Sequence, residues 1–146
     1  MSIKDIMTTL LAGGCVCMLS EFQKRNDIAG SFNELRANTV DLTPSSLTLF
    51  TPEKFLKLEV FILGGEVMTG AHIQRWAHKT TLINTYGPSE CSIVTTVAKP
   101  ATMNTDSWNI GKACCGRIWI VDLNDAHRLL PMGALGELLI EGQTLS

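Results

Sequence analysis

The sequence predicts an α/β protein with a largely parallel sheet layered against flanking helices, followed by a small β-rich segment that is antiparallel or barrel-like. Short apolar runs such as Leu58–Leu63 (LEVFIL) alternate with segments of helical period over the first hundred residues. Beyond Pro100 the pattern changes, because the polar stretch Ala101–Asn109 leads into two β-rich runs, RIWIVD and GELLIE. We therefore expect an α/β part at residues 1–100 and the start of a β-rich subdomain at residues 101–146.

Each element is predicted from its period and from the residues that bound it. Glycines at Gly13 and Gly14 end the first helix, Asp27 caps the second, and Pro44 opens the third. Short apolar runs predict strands buried on both faces. In chain order we expect a helix at 3–12, a strand at 15–19, a helix at 27–37, a strand at 39–42, a helix at 44–50, a strand at 58–63, a helix at 69–77 and a strand at 81–84. Later strands are expected at 117–122 and 136–141, with a turn at Leu123–His127.

Composition excludes several classes of partner. The 146 residues are 45% hydrophobic and 18% charged, with a net charge of -2, which is typical of a globular domain. Since there is no basic run, neither nucleic acid nor an anionic membrane surface is expected as a partner. The spacings of the five cysteines match neither a zinc site nor a redox motif. The apolar N-terminal run is too short to span a bilayer. Reduced thiols and a cytoplasmic location are expected.

Two loops follow predicted parallel strands and are the first candidates for a ligand site. Gly64-Gly65-Glu66 comes after LEVFIL, and residues 84–90 (NTYGPSE) come after the next strand. Ligands of open parallel sheets sit at the carboxyl ends of the strands, so these loops are expected side by side. The glycine pair permits close approach of the backbone to a flat ligand. Taken alone, that pair could equally be an ordinary strand-to-helix turn, and Glu90 a plain surface carboxylate.

The ordered string at 84–90 resembles the Asn-x-Tyr-Gly-Pro-Thr/Ser-Glu motif of adenylate-forming (AMP-binding) enzymes, particularly adenylation domains of nonribosomal peptide synthetases. Three more stretches are similar to motifs of that family in order and spacing. They are L-G-G-E at 63–66, N-I-G-K at 109–112 and G-E-L-L-I-E-G at 136–142. Ala113 stands where the family usually has proline. The resemblance covers essentially the whole chain.

The resemblance implies roles for residues at the nucleotide. Tyr86 would stack on the adenine, with the backbone of the paired glycines along its edge. Ser89 and Glu90 would be the catalytic residues, with Ser89 near the α-phosphate and Glu90 holding Mg²⁺. Glu66 either contacts the ligand or is only a helix N-terminal carboxylate. The residues implied at the nucleotide are Gly64, Gly65, Glu66, Tyr86 and Gly87.

The resemblance also implies a pocket for the acid that is activated. Two of its members, Lys4 and Asp41, are charged, so they are expected to pair with each other or with a polar substrate; the alternative is that both lie on the surface. The residues implied in this pocket are Lys4, Asp41, Ile62, Gly64, Thr85, Ile93 and Val94.

The function implied by the resemblance is activation of an amino acid, or another carboxylic acid, by ATP and Mg²⁺ to an acyl adenylate in nonribosomal peptide biosynthesis. A carrier-protein domain of the full enzyme would be the partner. The family's phosphate loop and catalytic lysine are not found in this sequence. We therefore expect a fragment of a larger adenylate-forming N-terminal domain that is inactive alone. The alternatives are a fragment of an acyl-CoA or aryl-acid ligase and a non-catalytic remnant.

Overall fold

A computed structural model describes residues 3–91, 94–143 and 145 of the chain. Among these residues, the larger sheet has five strands in the order β1-β2-β3-β4-β5. The first three strands are parallel, with Leu63 opposite Leu42 on one side and Asn84 on the other, and the last two are antiparallel. The strands are β1 (Thr39–Leu42), β2 (Val60–Leu63), β3 (Thr81–Tyr86), β4 (Thr96–Val97) and β5 (Lys112–Ala113). The predicted fold class, a layered α/β protein with parallel strands, is confirmed.

Short helices with clear caps surround this sheet. Ser20 and Gln23 form a capping box at the start of one of them, and the side chain of Asp27 accepts the N–H of Gly30 at 2.9 Å at the start of the next. The helices are α1 (Ile3–Leu11), α2 (Glu21–Asn26), α3 (Ile28–Glu34), α4 (Pro44–Thr48) and α5 (Gly70–Trp76), with a single 3-10 turn at Pro52–Lys54. In the described part of the chain, no helix combines the length and the apolar content that crossing a bilayer requires.

The core lies between the larger sheet and the helices α3, α4 and α5. Phe61 and Trp76 are fully buried, and their ring centroids lie 4.8 Å apart in an edge-to-face arrangement of 82°. Leu47 of α4, Leu63 of β2 and Leu82 of β3 are also fully buried. By contrast, α1 buries none of its side chains completely. The carboxyl ends of β1, β2 and β3 are therefore held by a packed layer, while α1 lies outside it.

The second sheet is small and antiparallel, which is one of the two alternatives predicted for the β-rich segment. Its strands are β6 (Arg117–Asp122), β7 (Asp125–Leu129) and β8 (Glu137–Glu141), in the order β7-β6-β8. The predicted turn at Leu123–His127 is too long, because the chain reverses at Leu123 and Asn124 and then continues as β7. The carboxylate of Asp122 accepts the N–H of Asn124 at 2.9 Å and closes this turn. Every residue of β7 is exposed, so the strand has no apolar alternation by which to predict it.

One predicted strand is wrong, and one helix was not predicted. Residues Cys15–Leu19 form no strand, and Met18 is 71% exposed rather than buried between layers. An apolar run becomes a strand only where a neighbouring strand pairs with it. The sequence prediction also contained no helix at Glu21–Asn26. Strand β5 lies after Pro100 and still joins the larger sheet; the division at residues 100 and 101 stays a prediction.

Candidate functional site

A cavity of about 500 Å³ opens at the carboxyl ends of β1, β2 and β3. Its volume lies within the range of small-molecule sites, and its position is where α/β sheets bind ligands. Each parallel strand contributes the residues at its end, and α1 contributes two more. The lining consists of Lys4, Asp5, Asp41, Leu42, Thr43, Gly64, Gly65, Thr85, Gly87, Pro88, Ser89 and Val94.

The two glycine-containing loops are in direct contact inside this cavity. Thr85 donates its hydroxyl hydrogen to the carbonyl of Leu63 at 2.9 Å. A Cβ atom at Gly64 would lie 2.6 Å from the hydroxyl oxygen of Thr85, closer than real side chains approach. Gly65 has a φ of +79°, which favours glycine. The close approach requires a residue without a side chain at position 64, and the backbone turn favours one at position 65.

Lys4 and Asp41 form an ion pair on the wall of the cavity. Their side chains are 21% and 22% exposed, so both charges are largely removed from water. The ammonium of Lys4 also lies 3.7 Å from the carboxylate of Asp5. Asp41 is placed by β1, where it lies opposite Ile62 of β2, and Lys4 reaches it from α1. Of the two sequence alternatives for these residues, pairing is observed and free surface positions are not.

Glu66 does not line the cavity, and its carboxylate binds Ser45 instead. Its carboxylate accepts hydrogen bonds from the hydroxyl and from the backbone N–H of Ser45, the latter at 2.9 Å. These hydrogen bonds hold the pKa of the Glu66 carboxyl below its ordinary value. Ser45 lies in the first turn of α4, where a negative charge is favourable. Glu66 thus connects the loop after β2 to the start of α4 rather than to the start of α5.

Four other predicted site residues do not line the cavity or cannot be placed. Tyr86 ends β3 between two lining residues, and its side chain is 36% exposed. Glu90 follows Ser89 and is exposed. Ile62 is half-buried in β2, and Ile93 lies outside the described residues. The roles given to these residues at the nucleotide, the metal and the acid remain predictions.

Four lining residues were not among the predicted site residues, although one of them, Pro88, lies in the predicted loop at 84–90. Leu42 ends β1 and Thr43 follows it, so the rule that ligands meet strand ends could have found both. Asp5 had no such signal, because only the packing of α1 brings it to the cavity.

The titratable groups elsewhere do not suggest a metal centre. In residues 3–91, 94–143 and 145, no group of three His, Cys, Asp or Glu side chains is close enough to hold a metal ion. All five cysteines are free thiols. Cys114 donates its S–H to the carbonyl of Thr95 at 3.4 Å, and desolvation by burial raises its pKa, so this thiol is not activated as a nucleophile.

A cavity at the ends of parallel strands, with two glycine-containing loops in its wall, lies where α/β domains bind small molecules. The chain belongs to the AMP-binding enzyme family, whose model matches residues 1–146. The predicted resemblance is therefore confirmed.

Individual relatives agree with this assignment. Nonribosomal peptide synthetase imqB of Aspergillus flavus is 48% identical over 140 residues, which are 96% of this chain and 4% of the relative. Nonribosomal peptide synthetase 4 of Gibberella zeae is 44% identical over 145 residues, which are 99% of this chain and 2% of the relative. The chain thus spans a small part of the length of these relatives.

Solved structures show the same fold. The Vibrio cholerae adenylation domain AlmE, in complex with glycyl-adenosine-5'-phosphate, has a TM-score of 0.80 and 25% identity, covering 98% of this chain and 30% of its own. PA1221, a protein containing adenylation and PCP domains, has a TM-score of 0.75 and 24% identity, covering 96% and 30% respectively. The second likeness, at its lower identity, concerns the fold alone.

Proposed function

We propose that this chain supplies the nucleotide-binding and acid-binding face of a domain that activates an amino acid with ATP during nonribosomal peptide synthesis. The observation that carries the proposal is that one cavity is lined by residues implied at both substrates. Gly64 and Ser89 are implied at the nucleotide, and Lys4 and Asp41 at the acid. Adenylate formation needs the two substrates in one site, since the reaction joins them. The aminoacyl adenylate bound by AlmE supports the same reaction class.

The proposed reaction is a displacement at phosphorus. A carboxylate oxygen of the amino acid attacks the α-phosphorus of ATP and forms the acyl–phosphate bond. The bond from the α-phosphorus to the bridging oxygen breaks, and its electron pair leaves with pyrophosphate. The hydroxyl of Ser89 would donate a hydrogen bond to an α-phosphate oxygen, and such donors stabilise the charge that develops there. Because Gly64 and Gly65 have no side chains, the adenine would approach their backbone edge-on, and Tyr86 would stack its ring on the adenine.

The residues present fit Mg²⁺ as the cofactor. This ion keeps several waters and binds through one or two carboxylates together with substrate phosphates, so a three-ligand protein cage is not required. Glu90, beside the lining residue Ser89, would supply the carboxylate. When bound, Mg²⁺ would neutralise charge on the phosphate oxygens.

The partner and location follow from the same proposal. PA1221 joins adenylation and PCP domains in one protein, and we extend that arrangement to a carrier-protein domain that would receive the acyl group activated here. Five free thiols agree with a reducing compartment, the cytoplasm.

The test uses a chimeric domain, in which this chain replaces the matched segment of the adenylation domain of the Aspergillus flavus relative. Amino-acid-dependent exchange of pyrophosphate into ATP is the readout. Tyr86→Ala should raise the KM for ATP about tenfold, because loss of one aromatic–base stack weakens binding by about that factor. Tyr86→Phe keeps the ring, so its KM for ATP should stay close to that of the unsubstituted chimera. The proposal would be refuted by a chimera that unfolds cooperatively, and is therefore folded, but shows no pyrophosphate exchange with any amino acid tested.

A further inference from the structure

We propose that the Lys4–Asp41 pair makes the pocket select an amino acid whose side chain is uncharged and carries both a hydrogen-bond donor and an acceptor, a carboxamide being its best complement. This inference rests on the proposed function and names the substrate class of the same cavity. It starts from the observation that both charged groups line the cavity and bind each other there.

The pair keeps hydrogen-bonding capacity for a third group. An ammonium carries three donors and a carboxylate has two acceptor oxygens, so their mutual bond leaves donors on Lys4 and acceptor sites on Asp41. Around them the wall includes the apolar side chains of Leu42 and Val94. A ligand that displaces water from the cavity must therefore satisfy a donor and an acceptor at neighbouring points.

A charged side chain would disrupt this arrangement. An anionic side chain would compete with Asp41 for the ammonium, and a cationic one would compete with Lys4 for the carboxylate. The anionic side chain would leave the Asp41 carboxylate without its partner in a pair that is about four-fifths buried. The cationic one would bring a second positive charge beside the Lys4 ammonium and leave Lys4 only its longer contact, 3.7 Å, with Asp5. Removal of one partner from a buried pair costs far more than the pair itself contributes. The pair therefore rejects substrates of either sign.

An apolar side chain would fail for a different reason. It would remove water from both charged groups and return no hydrogen bond to either, and unsatisfied buried polar groups are unfavourable. A carboxamide does the opposite, since its carbonyl accepts from the Lys4 ammonium and its NH₂ group donates to the Asp41 carboxylate.

The experiment measures exchange kinetics of the chimeric domain with L-asparagine, L-glutamine, L-aspartate, L-glutamate, L-lysine and L-leucine. We expect kcat/KM for one carboxamide to exceed that of every charged or apolar competitor by at least about tenfold, because a site built to hydrogen-bond its substrate discriminates strongly. The double variant Lys4→Met with Asp41→Leu should move the preference to L-leucine. The exchanged pair, Lys4→Asp with Asp41→Lys, should keep the carboxamide preference.

Several outcomes overturn the inference. The inference is wrong if a charged or apolar amino acid has the highest kcat/KM. It is also wrong if the order of preference is unchanged in the double variant Lys4→Met with Asp41→Leu. If that variant fails to fold, the reciprocal test places lysine and aspartate at the matched positions of the parent domain. Absence of any gain in carboxamide activation there would also contradict the inference. If none of the amino acids supports pyrophosphate exchange, the result would instead refute the proposed function on which this inference rests.

Discussion

Replacing Gly64 with alanine would place a methyl group in the contact between the two loops of the cavity. The new Cβ would lie 2.6 Å from the hydroxyl oxygen of Thr85 and 3.3 Å from its carbonyl oxygen. The threonine hydroxyl is held by its hydrogen bond to Leu63 at 2.9 Å. Relief of the clash requires loss of that bond, at about 1 kcal/mol. It also requires displacement of packed atoms, at about 1–3 kcal/mol. The free energy of unfolding should therefore fall by about 2–4 kcal/mol.

Urea unfolding of the 146-residue chain, followed by tryptophan fluorescence, measures this change, because Trp76 is fully buried. Gly70→Ala is the matched control, since its added Cβ would meet no atom within 4 Å. Alanine there should leave stability unchanged or raise it by up to about 1 kcal/mol. In the double variant Gly64→Ala with Thr85→Ala, the nearest clashing atom is removed. A coupling energy of at least about 1 kcal/mol between the two substitutions is expected.

The functional readout of the same variant is pyrophosphate exchange in the chimeric domain, which should fall with Gly64→Ala and not with Gly70→Ala. Equal stability of the two single variants would contradict the argument. So would strict additivity of Gly64→Ala and Thr85→Ala, because the two loops would then not be in contact.

Three further predictions concern the supports of the cavity. Trp76→Ala should lower the free energy of unfolding by about 3–5 kcal/mol, since a fully buried indole is removed from the core; denaturation followed by circular dichroism checks this, and a loss below 1 kcal/mol would exclude the packing described. Asp27→Ala should cost about 1 kcal/mol through loss of the α3 cap, whereas Asp27→Asn should cost little, and equal losses would argue against capping. Glu66→Gln should lower the melting temperature at neutral pH. Because the pKa of Glu66 is depressed in the folded chain, its contribution is present above the ordinary value of 4.5 and is lost as the pH falls through the lower folded value. The two melting temperatures should therefore converge in acid, and a constant difference would contradict this.

Local signals in the sequence predicted the centre of the fold. The apolar run that contains β2 is followed by two glycines, and the string at 84–90 marks the end of β3. Asp27 was predicted as a cap from its type and position, and it is one. These features depend on neighbours within a few residues, so the sequence contains most of what determines them.

Features that depend on distant partners could not be predicted. The Cys15–Leu19 run has strand composition but no strand, while β7 lacks such a pattern and is held by pairing to β6. Glu66 finds its partner 21 residues away in Ser45. Sequence reasoning could name the carboxylate but could not say which helix end it reaches.

The Lys4–Asp41 pair was predicted in part from local sequence and depends in part on a distant contact. Both residues were identified as charges in need of a partner, yet they lie 37 residues apart, and only the packing of α1 against the end of β1 brings them together. That helix exposes Ile3, Leu10 and Leu11, and none of its side chains is fully buried in the described chain. The ion pair therefore forms part of the cavity wall and also links α1 to the end of β1. On the proposed function, a substrate that broke the pair would also loosen α1, which is a second physical reason to expect preference for a side chain that leaves the pair intact.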